Sequence, residues 1–218
     1  MATTPDLFLT RRGWLVASLA AGAVGVAGPG LAKGARIVTI LGDSITAGLG
    51  LPAAQALPAR LEAALAKAGA PARVRGAGVS GDTSAAGLAR VDFSVQADTD
   101  LCVVALGGND LLQGLDPKTT QANLDRIVKR LKARRIGVLL AGMQAPAAIG
   151  RGYARDFDAV FASVARQERV PLYPNLLDGV GQIINLNQRD GIHPNAQGVE
   201  IIAGRLAPVV ARALKARA

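Results

Sequence analysis

The chain has 218 residues, half of them hydrophobic and 19% charged, a composition typical of one folded globular domain rather than a disordered segment. A single cysteine, Cys102, and a single histidine, His193, exclude an internal disulfide, a cysteine metal cluster and a multi-histidine metal site. The net charge of +9 suits an anionic partner. The basic residues are dispersed, however, and seven aromatic residues leave little for stacking bases, so we expect no nucleic-acid partner.

The first 32 residues have the layout of an export signal. Arg11 and Arg12 precede an uncharged run rich in Gly and Ala, and Pro29 and small residues follow before residue 33. Paired arginines before a weakly apolar run are typical of a twin-arginine signal. A membrane anchor is the alternative, but the glycines and Pro29 make a poor span. We expect residues 1–32 to be a cleaved signal peptide, residues 33–218 to be the functional domain, and the mature protein to be periplasmic or secreted.

The rest of the chain alternates short apolar segments with segments in which apolar residues recur every three or four positions. Asp116-Pro117 predicts a helix start, Gly69 a helix end, and Pro208 a kink or break in the last helix. Cys102 lies in an apolar segment, which predicts a buried, unreactive thiol. The predicted strands are Arg36–Leu41, Ala72–Val79, Leu101–Leu106, Ile136–Gly142 and Val170–Tyr173.

Strand and helix alternation predicts an α/β fold, a three-layer α/β/α sandwich around a parallel sheet of about five strands. The strand order does not follow from the sequence, and a flavodoxin-like order is the expectation by analogy. In such sheets, functional sites gather beyond the carboxyl ends of the strands.

Polar clusters follow the first two predicted strands. Gly42-Asp43-Ser44 places a hydroxyl at a strand-to-helix turn, although Ser44 could equally be a helix N-cap. The second cluster, residues 79–84, contains Gly81, whose backbone N–H could approach a ligand closely. An ordinary turn with a helix cap is the alternative for this cluster.

Two further clusters complete the pattern. Asn109 in Gly107-Gly108-Asn109-Asp110 could donate its amide to a developing oxyanion, although this is also turn chemistry. Before the last helix, Asp190 and His193 are spaced so that the carboxylate could orient the imidazole as a base. A surface histidine beside a capping aspartate is the alternative. Taken together, the four clusters supply a nucleophile, oxyanion donors and an oriented base, the complement that acyl transfer requires.

These clusters resemble the sequence blocks of the SGNH (GDSL) hydrolases over nearly all of residues 33–218. The second and fourth blocks resemble most closely the periplasmic arylesterase, acyl-CoA thioesterase and lysophospholipase subgroup. Ile45 stands where the family usually has Leu after Gly-Asp-Ser. The resemblance implies a three-layer α/β fold and ester hydrolysis that needs neither metal nor cofactor.

On this basis we expect Ser44, His193 and Asp190 to be catalytic, as nucleophile, base and orienting carboxylate. We expect the N–H groups of Ser44 and Gly81 and the side chain of Asn109 to form the oxyanion hole.

The substrate is expected to be a small acyl ester: an aryl or acyl ester, a lysophospholipid or an acyl thioester. Apolar Leu111, Leu112, Pro146 and Ile149 are expected to line its pocket, with ordinary loop packing as the alternative. The positive charge favours peripheral contact with anionic lipid. Two other functions stay open, a carbohydrate O-acetylesterase of the same family and a non-catalytic periplasmic binding module. The sequence does not predict an oligomeric state.

Overall fold

Five apolar segments form one parallel sheet, as the alternating pattern predicted. The structure is a computed structural model that describes Met1 and residues 35–216, so the predicted signal peptide, Met1 apart, lies outside the described residues. The strands are β1 (Arg36–Gly42), β2 (Ala72–Gly78), β3 (Leu101–Ala105), β4 (Gly137–Ala141) and β5 (Leu172–Tyr173).

The strand order is β2-β1-β3-β4-β5, which confirms the flavodoxin-like expectation. Strand β1 lies inside the sheet and pairs with β2 on one side and β3 on the other. Because all pairs are parallel, the carboxyl ends of the strands meet along one edge of the sheet. Val170 was predicted to lie in the last strand, but β5 holds only two residues, since Pro171 before it has no backbone N–H to donate to a ladder.

The helices form layers over the two faces of the sheet. In one layer α2 packs against α7, and in the other α5 packs between α3 and α6. The helices are α1 (Ser44–Ala47), α2 (Leu57–Lys67), α3 (Ser84–Ser94), α4 (Gly108–Leu112), α5 (Pro117–Ala133), α6 (Arg151–Glu168) and α7 (Ala196–Lys215).

Local capping chemistry sets several helix ends. Asp116 caps α5 by accepting from the backbone N–H of Lys118, and Pro117 occupies the first turn, which confirms the predicted start. Gly69 follows the end of α2 in the left-handed conformation (φ +69°) that commonly ends a helix, which confirms the predicted end.

Pro208 does not break the last helix, contrary to that part of the prediction. Helix α7 runs without interruption through Pro208 to Lys215. Leu206, Val210 and Leu214 are buried on either side of the proline. Burial of these side chains outweighs the roughly 3 kcal/mol that an internal proline costs a helix.

Cys102 is fully buried in β3, and this burial raises the pKa of its thiol to about 12. The thiol is therefore protonated at neutral pH, in agreement with the predicted unreactive cysteine. Among the helices of the described residues, none is long and apolar enough to span a bilayer.

Candidate active site

Ser44 lies just after the carboxyl end of β1, as the first residue of α1. The N-cap of this helix is Asp43, whose Oδ1 accepts from the Ile45 backbone N–H at 3.1 Å. The alternative role of Ser44 as the N-cap is therefore wrong. Ser44 is 7% exposed, and its hydroxyl is available to the histidine opposite it.

The loop before α7 brings a histidine and an aspartate to this serine. His193 Nε2 lies 2.8 Å from Ser44 Oγ, and its Nδ1 lies 2.6 Å from Asp190 Oδ2. Asp190 Oδ1 also accepts from the backbone N–H groups of Ile192 and His193. The hydrogen bonds from the His193 backbone and ring, and then from Ile192, lower the pKa of Asp190 to about 2. The carboxylate beside the imidazole is therefore ionised at every ordinary assay pH.

Hydrogen bonds fix the histidine loop relative to α1. The backbone N–H of Gln188 donates to the His193 carbonyl at 2.8 Å. The side-chain amide of Gln188 donates to the carbonyls of Leu49, just after α1, and Pro194. The side chain of Asn195 caps α7 directly behind the loop. One glutamine thus links the segment that holds His193 to the segment that holds Ser44.

Two of the predicted oxyanion donors, Gly81 and Asn109, lie just after the ends of β2 and β3. Asn109 is in the first turn of α4, and its Nδ2 donates to the carbonyl of Asp82 at 2.9 Å. The same nitrogen is 3.5 Å from Asp43 Oδ2, so its second hydrogen is held only weakly. Gly81 is an exposed residue in the turn after β2, with φ +87°. A side chain there would be strained in any surroundings.

Asp43 is only the neighbour of Ser44 in the sequence motif, yet the pKa of its carboxyl group is strongly perturbed. It is 4% exposed, and burial raises its pKa to about 6 against the opposing hydrogen bond from Ile45. Its position between Ser44 and Asn109 makes it a buried titratable group next to the serine–histidine contact.

A buried carboxylate also joins the second and third clusters. Asp110 accepts from the backbone N–H of Ser84 at 2.7 Å and from its hydroxyl, and from the Thr120 hydroxyl at 3.0 Å. This network ties the start of α3 to α4 and α5. In the sequence, only the polar residues Ser84 and Asp110 indicate this network, and such residues are also common in ordinary turns.

A cavity of about 380 Å³ opens beside the serine and histidine, within the range of small-molecule pockets. Leu111, Leu112 and Pro146, which we expect to line the substrate pocket, line this cavity together with Ser44, Asn109 and His193. Ile149 is not among the lining residues and is 43% exposed, because the chain closes into a 3-10 turn after Pro146. Gly81 does not line the cavity either.

A wall of the cavity comes from a loop after β5 that carried no recognised motif. Its lining residues there are Asn175, Leu177, Gly179, Gly181 and Gln182. Within residues 35–216, no group of three or more His, Cys, Asp or Glu side chains is arranged to hold a metal ion. The site therefore offers a hydroxyl, an imidazole with an ionised partner and amide donors beside an apolar cavity, groups that suit attack on a carbonyl.

Comparisons with known proteins point to the same chemistry. The model of the GDSL-like lipase/acylhydrolase family matches residues 40–201. A curated protein named esterase TesA, from Pseudomonas aeruginosa, is 42% identical over 161 residues, which cover 73% of this chain and 80% of that protein.

Two further proteins are similar over most of their length. Thioesterase 1/protease 1/lysophospholipase L1 of Escherichia coli K12 is 37% identical over 81% of this chain and 84% of its own. The crystal structure of AlinE4, described as an SGNH-hydrolase family esterase, superposes with a TM-score of 0.69 at 43% identity. That alignment covers 82% of this chain and 96% of AlinE4.

Proposed function

The chain belongs to the GDSL-like lipase/acylhydrolase family and is an SGNH-type ester hydrolase, and from that premise we propose that it is a serine esterase acting through a covalent acyl-enzyme. In this proposal Ser44 is the nucleophile, His193 the general base and Asp190 the orienting carboxylate. The observation that carries it is the continuous chain of contacts from Asp190 through His193 to Ser44 at the mouth of an apolar cavity.

In the first half of the reaction, Ser44 Oγ attacks the acyl carbonyl and its proton passes to His193 Nε2, 2.8 Å away. Asp190 stabilises the imidazolium that forms. His193 then returns the proton to the departing alcohol or thiol as the tetrahedral intermediate collapses to the acyl-enzyme. Water repeats the sequence with His193 again as base, releasing the acid and restoring the Ser44 hydroxyl.

The oxyanion of each tetrahedral intermediate is assigned to the N–H groups of Ser44 and Gly81 and to the Asn109 amide. The weakly held second hydrogen of Asn109 Nδ2 supports this role, because it is available to a stronger acceptor in the cavity while the first hydrogen stays on the Asp82 carbonyl. A donor of this kind is typically worth about 10²–10³ in kcat.

The cavity supports an acyl or aryl group as the part of the substrate that is bound. Leu111, Met143, Pro146 and Leu177 give it apolar walls next to Ser44. We propose carboxylic esters as the substrate class, including aryl esters and lysophospholipids, with acyl thioesters as a further capacity. The printed names of the relatives, esterase and thioesterase/lysophospholipase, are consistent with this range.

Export and contact with lipid are part of the same proposal. The sequence of residues 1–32 supports a cleaved signal peptide, which would deliver residues 33–218 to the periplasm or the medium. Leu112 and Ile192 line the cavity and remain exposed at its edge. Because residues 33–218 keep a clear excess of Lys and Arg over Asp and Glu, such an apolar edge suits transient contact with an anionic lipid surface that holds the substrate.

The test is hydrolysis of a p-nitrophenyl ester series from acetyl to palmitoyl by the wild type, Ser44→Ala and Ser163→Ala. Ser163 lies in α6, does not line the cavity and serves as the matched control. We expect activity that peaks at medium chain length, abolished in Ser44→Ala and kept in Ser163→Ala.

Other outcomes redirect the proposal. Activity confined to acetyl esters and shared with acetylated sugars would indicate the O-acetylesterase. Ligand binding by a folded wild type that hydrolyses no ester would indicate the non-catalytic binding module. Undiminished hydrolysis by Ser44→Ala would contradict the serine mechanism itself.

A further inference from the structure

Arg90, in α3, makes an unusual set of contacts just outside the cavity. Its Nη2 donates to the Gly42 carbonyl at 2.8 Å, and its Nη1 donates to the Ala77 carbonyl at 2.9 Å. Its Nε donates to Asp82 Oδ2 at 2.5 Å, and Nη1 also reaches the Ser94 hydroxyl. One guanidinium thus joins the carboxyl ends of β1 and β2 to the turn that follows β2.

Two of the four partners of Arg90, Gly42 and Asp82, lie next to proposed oxyanion donors. Gly42 is the last residue of β1, two residues before Ser44, and its carbonyl also accepts from Val79 N–H in the turn. Asp82 follows Gly81, and its own carbonyl accepts the Asn109 amide at 2.9 Å. Asp82 is therefore held from both sides, through its carboxylate by Arg90 and through its backbone by Asn109.

The Arg90–Asp82 pair is shielded from water. The side chains are 18% and 12% exposed, so their interaction is screened less than that of a surface ion pair. The planar fork of an arginine can bond several acceptors at fixed relative positions, which a lysine cannot do. Helix α3 also has anchors other than Arg90, in the Thr83 cap and the buried Val91.

We propose that Arg90, acting with Asp82, is a positioning residue that fixes the Gly81 N–H and the Asn109 amide relative to Ser44. This inference rests on the proposed esterase function. Arg90 does not line the cavity, so it acts through the three donors and not on the substrate. Displacement of oxyanion donors by a fraction of an ångström to 1 Å weakens transition-state binding more than ground-state binding.

The test compares steady-state kinetics of Arg90→Gln, Arg90→Lys and Asp82→Asn on p-nitrophenyl butyrate. We expect Arg90→Gln and Asp82→Asn to lower kcat by about 10- to 100-fold while KM changes by less than about threefold. Arg90→Lys keeps a cation for Asp82 but loses the fork to Gly42 and Ala77. We expect Arg90→Lys to recover most of the thermal stability that Arg90→Gln loses, while its kcat stays at least about tenfold below that of the wild type.

A matched control lies at the opposite end of β1. Arg36 donates to Asp100 and to the Leu214 carbonyl, and the side chains of this pair are 22% and 29% exposed. Arg36→Gln removes a similar ion pair far from the donors and is expected to leave kcat unchanged. The pH profile of kcat/KM should keep its shape in Arg90→Lys, because this variant keeps a positive charge beside Asp82 and touches neither His193 nor Asp190.

The proposal is overturned if folded Arg90→Gln keeps kcat within about twofold of the wild type, or loses no more than Arg36→Gln does. It is equally overturned if Arg90→Lys recovers kcat in step with stability, which would mean a purely structural role. If Arg90→Gln does not fold, Asp82→Asn decides, because Asn keeps the side-chain volume and the carbonyl that Asn109 binds. Failure of the esterase proposal is seen separately, as undiminished activity in Ser44→Ala.

Discussion

Asp43 is a carboxyl group whose surroundings oppose its ordinary ionisation. Its carboxyl group lies beneath Ser44, 4% exposed, and burial raises its pKa to about 6. Among residues 35–216, no positive side chain bonds to it, and the amide of Asn109 is 3.5 Å away. The ionised form is therefore poorly solvated in the folded state but well solvated in the unfolded chain.

This difference predicts a pH-dependent gain in stability for Asp43→Asn. The folded state holds the proton more tightly than the unfolded chain, so ionised Asp43 destabilises the fold at neutral and higher pH. That cost fades as the pH falls from about 6 towards 4. A pKa difference of two units between the folded and unfolded states changes the free energy of unfolding by at most about 3 kcal/mol. Asn keeps the oxygen that caps α1, so the cap is not lost.

Urea unfolding at pH 8 and pH 4 measures this effect. We expect Asp43→Asn to be more stable than the wild type at pH 8 and nearly equal to it at pH 4. A variant that is less stable than the wild type at pH 8 would show that the ionised carboxylate is favourably bound in the fold.

Among the secondary-structure elements, the strands could be predicted and the short helices could not. Apolar runs located all five strands to within two residues at each end. Helices α1 and α4, which carry Ser44 and Asn109, span only four and five residues. Segments this short show no helical periodicity, so only the turn residues around them marked their positions.

The close approach of β2 to α1 predicts a sharp effect of one methyl group. A Cβ at Gly78 would lie 2.4 Å from the Ala47 backbone nitrogen and 2.7 Å from the Asp43 carbonyl oxygen. Backbone atoms cannot rotate aside, so α1 and Ser44 must shift. We expect Gly78→Ala to destabilise the fold by about 1–3 kcal/mol and to lower kcat.

Gly204 in α7 is the matched control. A Cβ there meets no atom within 4 Å, and its φ is not positive. We expect Gly204→Ala to raise the free energy of unfolding by about 0.5–1 kcal/mol with activity unchanged. Denaturant titration and steady-state kinetics of the two variants check both statements. Equal stability of Gly78→Ala and the wild type would mean that α1 is not fixed by this contact.

In the molecule as a whole, the sheet order explains why three of the clusters meet. Strand β1 lies between β2 and β3, which brings Ser44 between the turn after β2, with Gly81, and the end of β3, with Asn109. The loop before α7 adds the fourth cluster, with His193. The alternation of strands and helices was enough to predict the fold class, and the resemblance of the clusters to the SGNH blocks predicted the joint role of the serine, histidine and aspartate.

Contacts made through space could not be predicted in the same way. Arg90 bonds residues 48 and 13 positions away, a relation with no local pattern. The cavity wall at residues 175–182 comes from a loop whose composition is ordinary. The burial of Asp43 also follows from tertiary packing, because its sequence neighbours are those of any helix cap.

The most direct test of the catalytic account is covalent labelling with a fluorophosphonate, followed by intact mass and peptide mapping. Attack by Ser44 Oγ on phosphorus expels fluoride, and His193 takes the hydroxyl proton. We expect one adduct per chain, on Ser44 in the tryptic peptide of residues 37–60, no adduct in Ser44→Ala, and labelling slowed by orders of magnitude in His193→Ala. An adduct on another side chain, or an unlabelled wild type that hydrolyses esters, would contradict the assignment of Ser44 as the nucleophile.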